Sequence, residues 1–303
     1  MEKKFRGVVA VICTPFDEKG DLDEVALRRH IRYLLDDCGV HGIIPTGSTG
    51  EFAFLSESER LRVMDITLEE VNQKVPVFIG SAACSTRETV KYAQRAEQAG
   101  ADGVMVVSPY YGSLSQEELY AHFAVLAQNI SIPIILYNNP GTSGSDMLPP
   151  LIARLAEFDN IVAIKESSGV MQRVSEIMRL CGDKIEVLCG CDTLVLEMFQ
   201  MGVEGWVAAP ANLIGEFCVQ LFNLAVEQKD FAKARELYFK VLPLMDLFES
   251  SGKYVQLAKA GLALRGLPIG EPRRPLLPPN PQLLESLREI LDSLCLLKSP
   301  SRS

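Results

Sequence analysis

The residues best suited to chemistry in this 303-residue chain are one lysine, one tyrosine and a hydroxyl-rich turn. Lys165 follows the apolar run 161–164 with no turn between. Lysine is almost never buried without a reason. A desolvated lysine has a lowered pKa and attacks a carbonyl carbon as the free amine, giving a Schiff base. A surface lysine at a strand end is the plainer alternative for that stretch alone, but the other lysines fall mostly in helical or polar segments. Tyr137 closes another apolar run, 132–137. With its ring in a core and its hydroxyl in a cleft it can relay protons, although tyrosine also fills cores. The turn Thr46-Gly47-Ser48-Thr49-Gly50-Glu51 flanks two hydroxyl residues with glycines. Its backbone N–H groups and two O–H donors can converge on a carboxylate or a phosphate, the alternative being a plain glycine-rich turn. It lacks the G-x-x-x-x-G-K pattern of a P-loop. One reaction accounts for all three features: Lys165 forms an imine with a 2-oxo acid, the turn holds that acid's carboxylate, and Tyr137 moves the protons. The imine is an electron sink, so a bond beta to it breaks or forms through an enamine.

Those residues need a frame. Short apolar runs at 8–12, 42–45, 75–79, 103–107, 132–137, 161–164, 185–188 and 206–209 alternate with segments of helical period at 23–38, 56–73, 85–99, 115–129, 147–157, 170–181, 192–201 and 212–228. Such alternation means a parallel sheet, and eight units fit a closed (β/α)8 TIM barrel. A doubly wound open sheet is the other candidate, but no G-x-G-x-x-G follows the first strand. Ser56-x-x-Glu59, Ser85-x-x-Glu88 and Ser115-x-x-Glu118 have the form of capping boxes where helices should start. Gly39, Gly100 and Gly202 mark helix ends. After residue 230 the pattern becomes helical only, over 231–248, 255–264 and 283–297, interrupted by the proline-rich piece 268–281. The expected organisation is a barrel over 1–228 and a C-terminal helical extension over 229–303, with 298–303 frayed.

In a barrel the loops after the strands meet at one face, which carries the site. That face would also gather Ser108-Pro109-Tyr110-Tyr111-Gly112, either a rigid loop displaying an aromatic hydroxyl or simple packing. Gly190-Cys191-Asp192 would join it, with Asp192 favoured as a helix N-cap over a catalytic acid, as would Ala209-Pro210-Ala211-Asn212. The net charge of −9 and the absence of a basic stripe argue against nucleic acid. No stretch approaches the roughly 18 apolar residues of a membrane span. The first residues have no secretory h-region. The 8 cysteines are scattered and fit reduced core thiols of a cytoplasmic protein; with three dispersed histidines they offer no metal-site spacing.

The motifs Gly47-Ser48-Thr49-Gly50-Glu51, Ser108-Pro109-Tyr110-Tyr111, Leu136-Tyr137-Asn138-x-Pro140 and Ile164-Lys165-Glu166-Ser167-Ser168-Gly169 together resemble those of the dihydrodipicolinate synthase / N-acetylneuraminate lyase family of class I aldolases, over roughly residues 5 to 280. The resemblance implies a (β/α)8 barrel with C-terminal helices, usually in a homotetramer built as a dimer of dimers. It implies no cofactor beyond the covalent imine on Lys165, a proton-relay role for Tyr137, and Ser48 and Thr49 at the pyruvoyl carboxylate. Tyr111 matches the tyrosine that, in the synthases, crosses the dimer interface and completes a relay with the hydroxyl at Ser48. Val207 matches a position whose carbonyl faces bound pyruvate. Two specificity marks are missing. Thr142 stands where the synthases carry an arginine for the semialdehyde carboxylate, and Thr193 stands where sialic-acid lyases carry an acid. A lyase, aldolase or dehydratase of 2-oxo acids follows, with a 2-keto-3-deoxy sugar acid as a candidate substrate and 4-hydroxy-tetrahydrodipicolinate synthase as the alternative.

Overall fold

The computed structural model describes residues 5–297. The fraying expected at 298–303 lies outside them. Eight strands are present: β1 Gly7–Val11, β2 Gly42–Ile44, β3 Phe78–Gly80, β4 Gly103–Val107, β5 Ile134–Asn138, β6 Ile161–Glu166, β7 Glu186–Cys189 and β8 Gly205–Ala208. All pair in parallel, in the order β2-β1-β8-β7-β6-β5-β4-β3. A parallel bridge between Ile43 and Val77, with the Gly80 N–H donating to the Pro45 carbonyl, joins β2 to β3 and brings the sheet round on itself. Helices α1 Glu24–Arg32, α2 Glu57–Val71, α3 Thr86–Gln98, α4 Gln116–Asn129, α5 Pro140–Ser143, α6 Pro149–Leu155, α7 Met171–Cys181, α8 Val195–Gln200 and α9 Ala211–Phe222 supply the crossovers. The architecture is the (β/α)8 TIM barrel.

Local chemistry explains the boundaries. Ser56 and Ser115 complete capping boxes with Glu59 and Glu118, while Ser85 accepts the Glu88 N–H. The segments at 23–38 and 212–228 end in single π-helical stretches, Tyr33–Asp37 and Asn223–Glu227. Strand β6 outruns its apolar stretch by two residues, because Lys165 and Glu166 pair with Tyr137 and Asn138 of β5 and with Leu188 and Cys189 of β7. The hydrogen-bond ladder sets that strand end, not side-chain polarity.

Beyond the barrel, α10 Phe231–Ser251, α11 Tyr254–Leu264 and α12 Pro281–Ser293 follow. Leu244, Phe248, Leu257 and Leu262 are fully buried against the rest. No helix of the described residues is long and apolar enough to cross a membrane. All eight cysteines are free, but core packing accounts for only five of them. Cys84 and Cys295 are exposed and Cys191 is half-buried, because these three sit in loops after their elements have ended.

Candidate active site

The β5–β6 register pairs Tyr137 with Lys165 and then Asn138 with Glu166. Side chains alternate along a strand, so one pair faces the barrel axis and the next faces outward. Tyr137 and Lys165 line a cleft of about 600 Å³ at the carboxyl ends of the strands. Lys165 is 6% exposed, and its Nζ lies 4.2 Å from the centre of the Tyr137 ring. The Tyr137 oxygen accepts from Asn139 Nδ2 at 2.9 Å, which leaves its own O–H free to donate. The outward pair holds the strand ends still. Asn138 Nδ2 donates to Glu166 Oε2 and to Asp146 Oδ1, each at 3.1 Å. Glu166 Oε1 accepts the Ser168 N–H at 2.7 Å, and Asp146 is ion-paired with Arg173. Burial raises the Glu166 pKa, and the Ser168 and Asn138 donors oppose that rise.

Gly190 makes room for the lysine. A Cβ there would come 2.7 and 2.8 Å from Lys165 Cγ and Cε, and 2.1 Å from Ser167 Oγ. The Ser167 hydroxyl has no hydrogen-bond partner among the described residues and lines the same cleft.

The turn after β2 is locked from several sides. Thr46 and Glu51 adopt positive φ, 53° and 58°. The Glu51 N–H donates to the Ser48 carbonyl at 3.1 Å, Thr14 Oγ1 to the Gly50 carbonyl at 2.7 Å and Thr46 Oγ1 to the Gly80 carbonyl at 2.9 Å. Thr46 thus spends its hydroxyl on the frame, and Ser48 and Thr49 line the cleft. Gly47 sits underneath, where a Cβ would meet Val11 at 2.6 Å. Below the turn, Glu51 and Lys259 of α11 form an ion pair at 2.6 Å with side chains 0% and 1% exposed. The Arg273 N–H adds a donor to Glu51 at 2.8 Å, and the Lys259 ammonium also donates to the Glu271 carbonyl at 3.0 Å. Val207 and Thr142 line the cleft, whereas Tyr111 is 88% exposed and does not. Its neighbour Tyr110 packs edge-on against Phe52.

Asp192 is not an N-cap. It begins a 3-10 turn whose cap position is Cys191, and no side chain caps it. Its carboxylate turns inward and accepts the Trp206 indole N–H at 2.8 Å. The Trp206 indole, projecting from within β8, supplies the partner that a cap would have drawn from the helix. Burial raises Asp192 to about 7, against the pull of the Trp206 bond and with the help of nearby Glu249. The α10–α11 junction also reaches the cleft, bringing Glu249, Lys253, Tyr254 and Gln256. Sequence reading passed over these residues because no strand precedes them. The available signal was polarity inside an otherwise apolar helix, as at Gln256 and Lys259.

A half-open cleft at the carboxyl ends of eight parallel strands, with a buried lysine beside a tyrosine, defines a (β/α)8-barrel lyase of the class I aldolase kind. A model of the dihydrodipicolinate synthetase family matches residues 4–294. The 4-hydroxy-tetrahydrodipicolinate synthase of Pelobacter propionicus is 41% identical over 274 residues, covering 90% of this chain and 93% of the relative. That of Thermodesulfovibrio yellowstonii is 40% identical over 294 residues, covering 97% of this chain and all of the relative. A crystal structure described as a putative dihydrodipicolinate synthetase from Pseudomonas aeruginosa is similar with a TM-score of 0.91 and 40% identity, covering 95% of this chain and 99% of that one. The chain belongs to the dihydrodipicolinate synthetase family.

Proposed function

We propose that the enzyme breaks or makes a carbon–carbon or carbon–oxygen bond of a 2-oxo acid through an imine on Lys165, without a further cofactor. The observation that carries this reading is the burial of Lys165 beside Tyr137, in a cleft that also contains Ser48 and Thr49. The Lys165 amine adds to the C2 carbonyl. Tyr137 delivers a proton to the carbinolamine oxygen, water leaves, and the imine forms. Cleavage beta to the imine sends the bonding electrons to nitrogen as an enamine, and the reverse path is condensation. Ser48 and Thr49, over the backbone of Gly47, hold the carboxylate, and the Val207 carbonyl faces the bound keto acid. Tyr111, exposed in one chain, enters the neighbouring site across a dimer interface of a homotetramer, where it works with Ser48. The protein is cytoplasmic, with a catalytic barrel domain over 1–228 and a C-terminal extension over 229–303. Substrates are small 2-oxo acids, pyruvate-forming or pyruvate-condensing, with a 2-keto-3-deoxy sugar acid as the leading class. Screening 2-keto-3-deoxy acids for pyruvate release or water loss tests this. Turnover of at least one supports it, and none turned over by an enzyme that binds pyruvate contradicts it.

Tyr137→Phe should preserve the imine but slow turnover by about 10²-fold or more, the scale of a lost proton relay. Unchanged turnover in steady-state assays removes Tyr137 from that role. The names of the relatives favour a second reading, condensation of pyruvate with aspartate semialdehyde. Thr142 opposes it: no arginine among the described residues lines the cleft, and a bidentate carboxylate clamp is not replaced by a hydroxyl. Aspartate semialdehyde should therefore be a poor partner for pyruvate in a coupled assay. Efficient condensation would establish the second reading.

A further inference from the structure

The C-terminal helices give the cleft a second polar wall. Helix α11 starts at Tyr254, with Lys253 in the cap position, and no side chain caps it. The first N–H groups of a helix have no partner within it and carry partial positive charge. Lys253, Tyr254 and Gln256 all line the cleft that holds Lys165. Gln256 is only 5% exposed, yet its side-chain amide has no hydrogen-bond partner among the described residues. The amide opens onto the cleft, where a polar ligand group can hydrogen-bond it. Lys253 joins no ion pair among the described residues, and Lys165 is the only other cationic side chain lining the cleft. A hollow of about 280 Å³ shares Lys253, Gln256 and Leu276 with the cleft and continues it toward residues 275–283. The two cleft carboxylates are already engaged. Asp192 takes the Trp206 N–H, and Glu249 takes the Thr193 N–H at 3.1 Å and its hydroxyl at 2.6 Å.

We infer that the start of α11, with Lys253 and Gln256, is a subsite for a carboxylate at the far end of the substrate, so that the substrate class is a 2-oxo diacid. This rests on the imine reading above, which fixes the keto end at Lys165. One ammonium, one amide donor and free helix N–H groups match a singly charged carboxylate. Asp192 and Glu249 in the same cleft repel any anion, and a doubly charged phosphate about twice as strongly as a singly charged carboxylate. The distal anion thus lies on the α11 wall and not at the α5 turn, where Thr142 offers no cation.

The test is competition for the borohydride-trapped lysine adduct. 2-Oxo diacids of five to seven carbons are compared with 2-oxo monoacids of equal length, in the wild type, Lys253→Ala and Lys253→Arg. At one length or more, the wild type should trap the diacid at a concentration at least tenfold lower than the monoacid. Lys253→Ala should reduce that ratio to about threefold or less, and Lys253→Arg should keep it. A purely structural role for Lys253 would shift both acids together and leave the ratio intact. No preference for a diacid at any length, or a preference that survives Lys253→Ala, overturns the inference while leaving the imine chemistry standing. If pyruvate itself gives no lysine adduct, the imine reading fails and takes the subsite with it.

Discussion

Replacing Lys165 by alanine is expected to end turnover, with a loss on the order of 10⁴-fold or more, the scale seen when a covalent nucleophile is removed. The size follows from the mechanism and not from packing. The enamine needs a nitrogen that has become part of the substrate, and no other group in the cleft can take that place. Lys253 lines the same cleft but is exposed, on the α11 wall and not at the strand end beside Tyr137. Lys259 is buried but pinned to Glu51 and lies outside the lining. Lys165→Arg should be as inactive as the alanine variant, because a guanidinium keeps its proton and cannot add to a carbonyl. Near-wild-type rates in either variant, with the far-UV circular dichroism spectrum unchanged, would show that Lys165 is not the nucleophile.

The second large effect is on stability. Lys259→Met should destabilise the fold by about 3–5 kcal/mol, the cost of leaving a buried carboxylate without its partner. Glu51 is fully buried, and burial already raises its pKa against the pull of Lys259. Without the ammonium it retains the Arg273 N–H alone. The pair joins α11 to the turn bearing Ser48 and Thr49, so the loss should loosen that turn as well. Removing both charges, in Glu51→Gln with Lys259→Met, should recover most of the loss, since the penalty comes from one stranded charge. Urea unfolding followed by fluorescence measures both. Equal midpoints for wild type and Lys259→Met would mean that the pair contributes little, and no recovery in the double variant would mean that the damage is steric.

The barrel was legible because its strands are buried on both faces and therefore appear as short continuous apolar runs, while serine–glutamate pairs mark helix starts. Lys165 stood out for the same reason, as a charge at the end of such a run. The strand end was misplaced by two residues because pairing continues through Lys165 and Glu166, which local polarity hides. Asp192 was misread because its partner, the Trp206 indole, lies 14 residues away and becomes a neighbour only through the barrel. Lys259 escaped notice because a lysine in a helix looks solvated, and its partner Glu51 is 208 positions away in sequence. The wall formed by Lys253, Tyr254 and Gln256 was invisible for a related reason. Strand-by-strand reading collects only the residues after strands, whereas this wall comes from a helix start folded back over the mouth.

Borohydride reduction in the presence of pyruvate, followed by peptide mapping, tests the central claim most directly. The account predicts one adduct per chain, carried by the peptide containing Lys165 and absent in Lys165→Ala. An adduct on Lys253 or Lys259, or none at all under saturating pyruvate, would contradict it.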